Sequence, residues 1–254
     1  MRPERTARLA ALLLALAAGG CAALGGGKKE ASAQGGSAVE LHLALAQGYL
    51  ERGRLDLATD RIQRALALDP RSPAAHTLMA LLMERLGNEE KAAEHYRRAA
   101  ELAPDRGLYQ QNYARWLCRS GHHAEAQAHF ARALADPLYD QPEIAARNSG
   151  LCYRQAGDDR AAAERFREVL RRRPTDPESL FQLAAIHFAS GDALRARAFL
   201  QRLEAAATLD PEALLLGYRV ERMLGDVQAA ENYRRRLLET YPDSDQVRML
   251  ESEG

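Results

Sequence analysis

The sequence predicts an all-α solenoid of about six stacked helix hairpins, and three observations carry that prediction. Aromatic residues make up only 6% of the 254 residues while Ala, Leu, Arg and Glu dominate, which favours helices over strands. Glycine recurs at Gly53, Gly87, Gly121, Gly157, Gly191 and Gly225, at intervals of 34, 34, 36, 34 and 34 residues. Five residues after each glycine stands an alanine: Ala58, Ala92, Ala126, Ala162, Ala196 and Ala230. The 46% hydrophobic share is enough to build a core.

Each recurring position has a physical reason. The glycine ends a first helix, because it takes positive φ without steric cost. The alanine sits where two helices cross closely. Nine residues after the first five glycines lie Ile62, Tyr96, Phe130, Phe166 and Leu200, which fill the space between units. Pro70, Pro104, Pro174 and Pro242 cannot continue a helix and mark turns to the next unit. First helices carry their own signature: Leu45-Ala46 with Tyr49, Met79-Ala80 with Met83, Tyr113-Ala114 with Leu117, Leu183-Ala184 with His187.

Two irregularities stand out. The third unit has two extra residues, in the segment 136–142. In the sixth, Arg234 occupies the ninth place beside Tyr233, and Leu216-Gly217 sits one residue early.

This pattern resembles the tetratricopeptide repeat. The resemblance implies a right-handed superhelix over residues 39–254, with the first helix of every pair on the concave side. Units are expected near 39–72, 73–106, 107–142, 143–176, 177–210 and 211–244, with a short C-terminal cap. Each hairpin cannot bury its apolar face alone and does so against its neighbour.

The N-terminus reads differently. Arg2, Arg5 and Arg8 precede ten apolar residues from Leu9 to Ala18, too few to span a membrane. Ala18, Gly19, Gly20 and then Cys21 complete the layout of a secretory signal over residues 1–20. A Cys directly after small residues resembles the lipobox of bacterial lipoproteins, although Ala18 stands where Leu is usual. The resemblance implies cleavage before Cys21 and its lipidation, and Ala22 in place of Asp implies the outer membrane. Ordinary secretion is the plainer alternative. Residues 21–38 include GGGKKEASAQGGS, a Gly/Ser-rich composition expected to form a flexible tether.

Charge limits the partners. Lys and Arg total 35, as do Asp and Glu, and removal of residues 1–20 leaves a net of −2. Such a body lacks the global basic charge of a nucleic-acid binder, so its expected partners are proteins. Repeats occupy nearly all of residues 39–242, leaving no room for a catalytic domain. No small-molecule substrate or cofactor is expected, and no phosphate-binding loop occurs, since glycines beyond the tether serve repeat turns.

Cys118 and Cys152 lie 34 residues apart in the first helices of neighbouring units. In an oxidising periplasm they are a candidate disulfide. The alternative is two free thiols buried as small apolar groups, and the two-residue insertion between them leaves spacing unable to decide. His122, His123 and His129 read as surface histidines, with no HExxH motif or CxxC pair to make a metal site. Cys118 with His122 imitates a nucleophile–base pair but lacks an oxyanion element. Arg171, Arg172 and Arg173 suit the C-terminal end of a helix as a solvated face; a partner or lipid-headgroup contact is the sharper alternative.

The expected concave surface consists of Leu43, Gln47, Thr77, Leu81, Gln111, Arg115, Arg119, Arg147, Leu151, Arg154, Phe181, Phe188 and Tyr218. Apolar patches with four central arginines suit an extended or helical peptide carrying acidic groups. A solvated inner surface is the plainer reading.

Several runs extend beyond the repeat signature. Asn112-Tyr113-Ala-Arg-Trp-Leu117-Cys118 followed by Gly121 resembles type IV pilus biogenesis lipoproteins of the PilF/PilW group. So do Pro137-Leu-Tyr139 leading to Asn148-Ser-Gly150-Leu151-Cys152, Leu214-Leu-Leu-Gly217-Tyr-Arg219, Leu224-Gly-Asp226 and Tyr241-Pro-Asp-Ser244. The resemblance covers the mature body almost end to end. It implies a pilotin, an outer-membrane lipoprotein that docks the type IV pilus secretin and promotes its localisation and multimer assembly. A general periplasmic repeat adaptor for envelope or cell-wall assembly shares every feature except these runs.

Overall fold

The computed structural model describes residues 27–252, with side chains from residue 38 onward. The signal segment, Cys21 and the first part of the tether lie outside the described residues. Thirteen helices and no strand occur among the described residues.

Six hairpins follow one another: α1 (Gly27–Glu51) with α2 (Leu55–Leu68), α3 (Pro73–Arg85) with α4 (Glu89–Leu102), and α5 (Gly107–Arg119) with α6 (His123–Ala135). Then come α7 (Pro142–Gln155) with α8 (Asp159–Arg172), α9 (Pro177–Ala189) with α10 (Ala193–Ala206), and α11 (Pro211–Leu224) with α12 (Val227–Thr240). A final short helix, α13 (Asp245–Ser252), packs on α11 and α12 and buries Val247 and Leu250 there. Second helices bridge to the next hairpin, and first helices touch along one side.

Helix boundaries follow from local chemistry. The six repeat glycines all have φ between +69° and +81°, the left-handed region that ends a first helix. Second helices start at side-chain caps: Asn88, Asp158, Asp192 and Asp226 each accept from the backbone N–H three residues on. First helices start with Pro73, Pro142, Pro177 and Pro211 in their first turn, where no intrahelical N–H is lost. Ser72, Asp176 and Asp210 cap three of these.

The N-terminal helix corrects one expectation. Backbone between Gly27 and the first packed residues is helical, where a flexible tether is expected from composition. Lys28, Lys29, Glu30, Ala31, Ala33 and Gln34 are good helix formers. With the packed half of α1 already helical, each further residue adds a hydrogen bond without a new nucleation cost.

Inside each hairpin a small residue on the first helix faces a large one sixteen positions later. The pairs are Ala46–Ile62, Ala80–Tyr96, Ala114–Phe130, Gly150–Phe166, Ala184–Leu200 and Gly217–Tyr233. All twelve are buried. A Cβ added at Gly150 would stand 2.8 Å from Phe166 Cε1, and one at Gly217 would stand 2.6 Å from Tyr233 Cε1. The sixth unit therefore conserves the crossing. Small and large residues have moved together by one position, which places Arg234 outward and leaves Ala230 in the core.

The long third unit folds back on its own hairpin. The Asp136 carboxylate accepts from Gly107 N–H at 2.7 Å and from Leu138 N–H at 2.9 Å. Arg106, the residue at the α5 cap position, offers no side-chain cap of its own. The Tyr139 ring lies against Gly107, so close that a Cβ there would meet it at 2.7 Å. Hydrogen bonds, first from Gly107 and then from Leu138, hold the Asp136 carboxyl below its ordinary pKa. Burial, reinforced by Asp140 and Glu143, pushes Tyr139 up to about 12.

This loop absorbs the two extra residues, so α5 and α7 remain neighbours. Cys118 and Cys152 are joined in a disulfide with their Cα atoms 5.7 Å apart. Both are buried, and the bridge ties the first helices of units three and four.

Three outcomes follow from this packing. Gly217→Ala should destabilise the chain by about 1–3 kcal/mol in thermal or urea unfolding, because the Tyr233 ring is buried and cannot withdraw freely. Joint replacement of Cys118 and Cys152 by Ala should lower stability by about 2–4 kcal/mol, the cost of freeing a 34-residue loop in the unfolded chain. Asp136→Asn should lower the melting temperature at neutral pH. Since the folded carboxyl has a depressed pKa, its contribution is complete above the unfolded value and is lost as pH falls through the folded one. The difference between parent and variant should therefore vanish in strong acid, as melts across pH 2–7 would report.

Candidate partner-binding groove

First helices line one face of the solenoid, and the sequence-expected residues fall on them in rows. One residue after each small crossing residue stand Gln47, Leu81, Arg115, Leu151, Ala185 and Tyr218. Five residues after it stand Glu51, Arg85, Arg119, Gln155, Ala189 and Arg222. Because unit six is displaced by one position, Tyr218 and Arg222 fall in these rows.

The N-terminal half of the face is apolar. A cavity of about 610 Å³ opens between α1, α3 and α5. Leu43, Gln47, Thr77 and Leu81 line it as expected, joined by Leu50, Leu78, Leu108 and Tyr109. Thr77 donates its hydroxyl to Pro73 O at 2.9 Å, so it shows the cavity a methyl group. Glu40, Glu51 and Arg85 also reach this site. The Arg85 guanidinium donates to Leu50 O and is held against the wall.

The centre differs from expectation. Arg119 pairs with Glu84, which also accepts from the Tyr96 hydroxyl at 2.9 Å. Arg147 pairs at 2.7 Å with Asp176, a buried carboxylate that also caps α9. Arg154 pairs with Asp159 at 3.0 Å and donates to Gln182 at 2.9 Å. Arg115 is half-buried beside Tyr96, whose pKa burial raises and the neighbouring guanidinium partly restores. Three of the four arginines therefore join helices to one another and do not present free charge. Sequence spacing places them on the right helices but cannot show that carboxylates from adjacent units reach them. Gln111 is buried, and its neighbour Gln110 donates to Ala100 O at 2.8 Å.

Towards the C-terminus the face changes again. Leu151, Phe181 and Phe188 are half-buried. Phe181 borders a 170 Å³ cavity with Leu203 and Thr208 near the turn into α11. Phe188 and Tyr218 form another cavity of about 370 Å³ with Arg219 and Arg222. Neither Arg219 nor Arg222 is among the residues the repeat signature points to; the displaced α11 brings them there.

The cysteine and histidine candidates also have places. The Sγ atoms of Cys118 and Cys152 and a ring nitrogen of His123 all lie within 4.8 Å of one another. With the sulfurs bridged, thiolate ligands for a metal are not on offer there. His129 bonds to Gln110 Oε1 at 2.7 Å and meets Tyr113 edge-on, which makes it part of the packing. Burial, then Arg132, holds its pKa below the ordinary value.

Comparisons with known proteins agree with this architecture. Tetratricopeptide-repeat family models match residues 43–106 and 114–177, and a second model matches 153–217. The type IV pilus assembly protein PilF of Pseudomonas aeruginosa is 27% identical over 216 residues, covering 85% of this chain and 86% of that protein. The crystal structure of PilW, described as a widely conserved type IV pilus biogenesis factor, superposes with a TM-score of 0.76 at 30% identity, over 84% of this chain and 97% of PilW. A solved P. aeruginosa PilF structure superposes with a TM-score of 0.78 at 25% identity, over 87% of this chain and all of that one. With repeat signature, six hairpins and near end-to-end coverage in agreement, the chain belongs to the tetratricopeptide-repeat family and, within it, to the type IV pilus biogenesis proteins that include PilF and PilW.

Proposed function

We propose that this protein is a pilotin, lipidated at Cys21 and held at the periplasmic face of the outer membrane, where it docks the type IV pilus secretin and promotes its multimer assembly. The observation that carries this reading is the apolar cavity between α1, α3 and α5. A groove of leucines on a rigid scaffold suits the apolar face of a peptide segment, helical or extended. Its position also suits the task, because α1 is the helix that leads back towards Cys21. Cargo bound there stays close to the anchor. Similarity to pilus assembly proteins supports the choice of cargo.

The mechanism is docking without bond chemistry. Secretin segments lose apolar surface to the cavity, and the lipid confines the complex to the target membrane. Rate of assembly then rises through local concentration.

Leu43→Asp and Leu81→Asp each place a charge in the apolar cavity. In a strain lacking the native protein, either variant should reduce outer-membrane secretin multimers by about tenfold or more while its own melting curve remains cooperative. Separated membranes blotted for undissociated multimers give the readout. Normal outer-membrane multimers with a folded variant would remove the cavity from the proposal, and normal multimers with no protein at all would end the pilotin reading.

A further inference from the structure

From one pair of side chains in the second unit we infer that His76 and His95 form a binding site for a zinc-type divalent cation, which clips α3 to α4. None of the residues around the pair borders the apolar cavity of the groove, and the site stands whether or not that cavity docks a secretin.

His76 lies on α3 and His95 on α4, and both are half-buried. Their Nδ1 atoms stand 2.9 Å apart, with the rings tilted by 31°. The other nitrogen of His76, Nε2, lies 3.2 Å from Pro70 O. A carbonyl oxygen only accepts, so Nε2 carries the proton and neutral His76 turns its Nδ1 lone pair towards His95. A backbone carbonyl behind the ring orients metal-ligating histidines in the same way. Zn–N bonds of about 2.0–2.1 Å, at right or tetrahedral angles, separate two nitrogens by about 2.9–3.4 Å. The pair stands at the near end of that range. An ion therefore enters with a small opening of the rings and His95 in its Nε2–H tautomer.

The third unit shows what packing alone requires at this place. One repeat later, Gln110 and His129 occupy the same two positions. Gln110 Nε2 donates to Ala100 O at 2.8 Å, and its Oε1 meets His129 Nδ1 at 2.7 Å. An amide thus bridges carbonyl and histidine as well as His76 does. What the imidazole adds is a second nitrogen ligand, which zinc prefers to an amide oxygen. Beside the pair opens a cavity of about 360 Å³, with Glu94, Arg97, Arg98 and Glu101 on its walls. Glu101 pairs with Arg97 at 3.9 Å and with Arg98 at 3.6 Å, which leaves the Glu94 carboxylate to favour a cation there. Water takes the remaining coordination positions. Two protein ligands make an open site, so the ion is a reversible clip on a hairpin that folds without it.

The test titrates zinc alone into the mature chain, prepared without an added histidine tag, and follows imidazole ring signals, calorimetry and melting. Zinc should shift the ring signals of His76 and His95 and, at saturation, raise the melting temperature by about 3 °C or more. Magnesium should do neither, since it takes oxygen ligands. His76→Gln rebuilds the pair as the third unit has it. This variant should melt like the parent in chelator, while its zinc affinity falls about tenfold or more, at least the cost of losing a ligand's outer partner. His95→Gln removes the other ligand and should lose affinity to the same degree, so the result does not hang on the fold of one variant. Absence of zinc binding, an equal response to magnesium, affinity undiminished in both variants, or ring shifts confined to His122 and His123 would overturn the site.

Discussion

Everything in this molecule depends on one close crossing, repeated six times, between a small residue on a first helix and a large one sixteen positions later. Where the small residue is glycine, at Gly150 and Gly217, ring and backbone approach too closely for any Cβ. The crossing fixes how deep the two helices of a hairpin sit against each other. That depth fixes which side chains of the first helix emerge on the concave face. The groove is therefore a consequence of core packing, and a change at the crossing alters the surface without touching it.

The sixth unit shows how this works in reverse. Measured from Gly225, its aromatic residue is out of place; measured from Gly217, it is where every other unit has it. A sequence pattern anchored on turn glycines reads this as an irregularity. The physical constant is the pair, and the turn is free to slip by one residue because a left-handed glycine imposes no side-chain packing. Turn glycines, alanines and fillers were legible because each obeys a local steric rule with a fixed period. The one-residue slip became legible only when both members of the crossing were seen to move together.

The groove was less legible than the core. Leucines of the first two units appear where helical spacing puts them, because burial and periodicity carry the same information there. Two of the arginines do not follow, since their partners lie in other hairpins: Asp176 for Arg147, Glu84 for Arg119. Sequence spacing reports which face a residue occupies, not which carboxylate some 29 or 35 positions away reaches it. The loop over residues 136–142 makes the same point. Its length alone looks like an insertion, while its contacts make it a cap and a cover for the start of α5.

The disulfide between α5 and α7 has a further meaning for an array of this kind. Repeat solenoids come apart from their ends, unit by unit, because each unit is held by its neighbours alone. A covalent link between the third and fourth units places a rivet at the middle of six. Fraying from either end can consume two hairpins before it meets a bond that heat and pulling do not easily part. The two halves of the groove, apolar at one end and cationic at the other, thus pivot about a fixed waist. Cargo gripped at both ends would feel a spring with its stiffest coil at the centre.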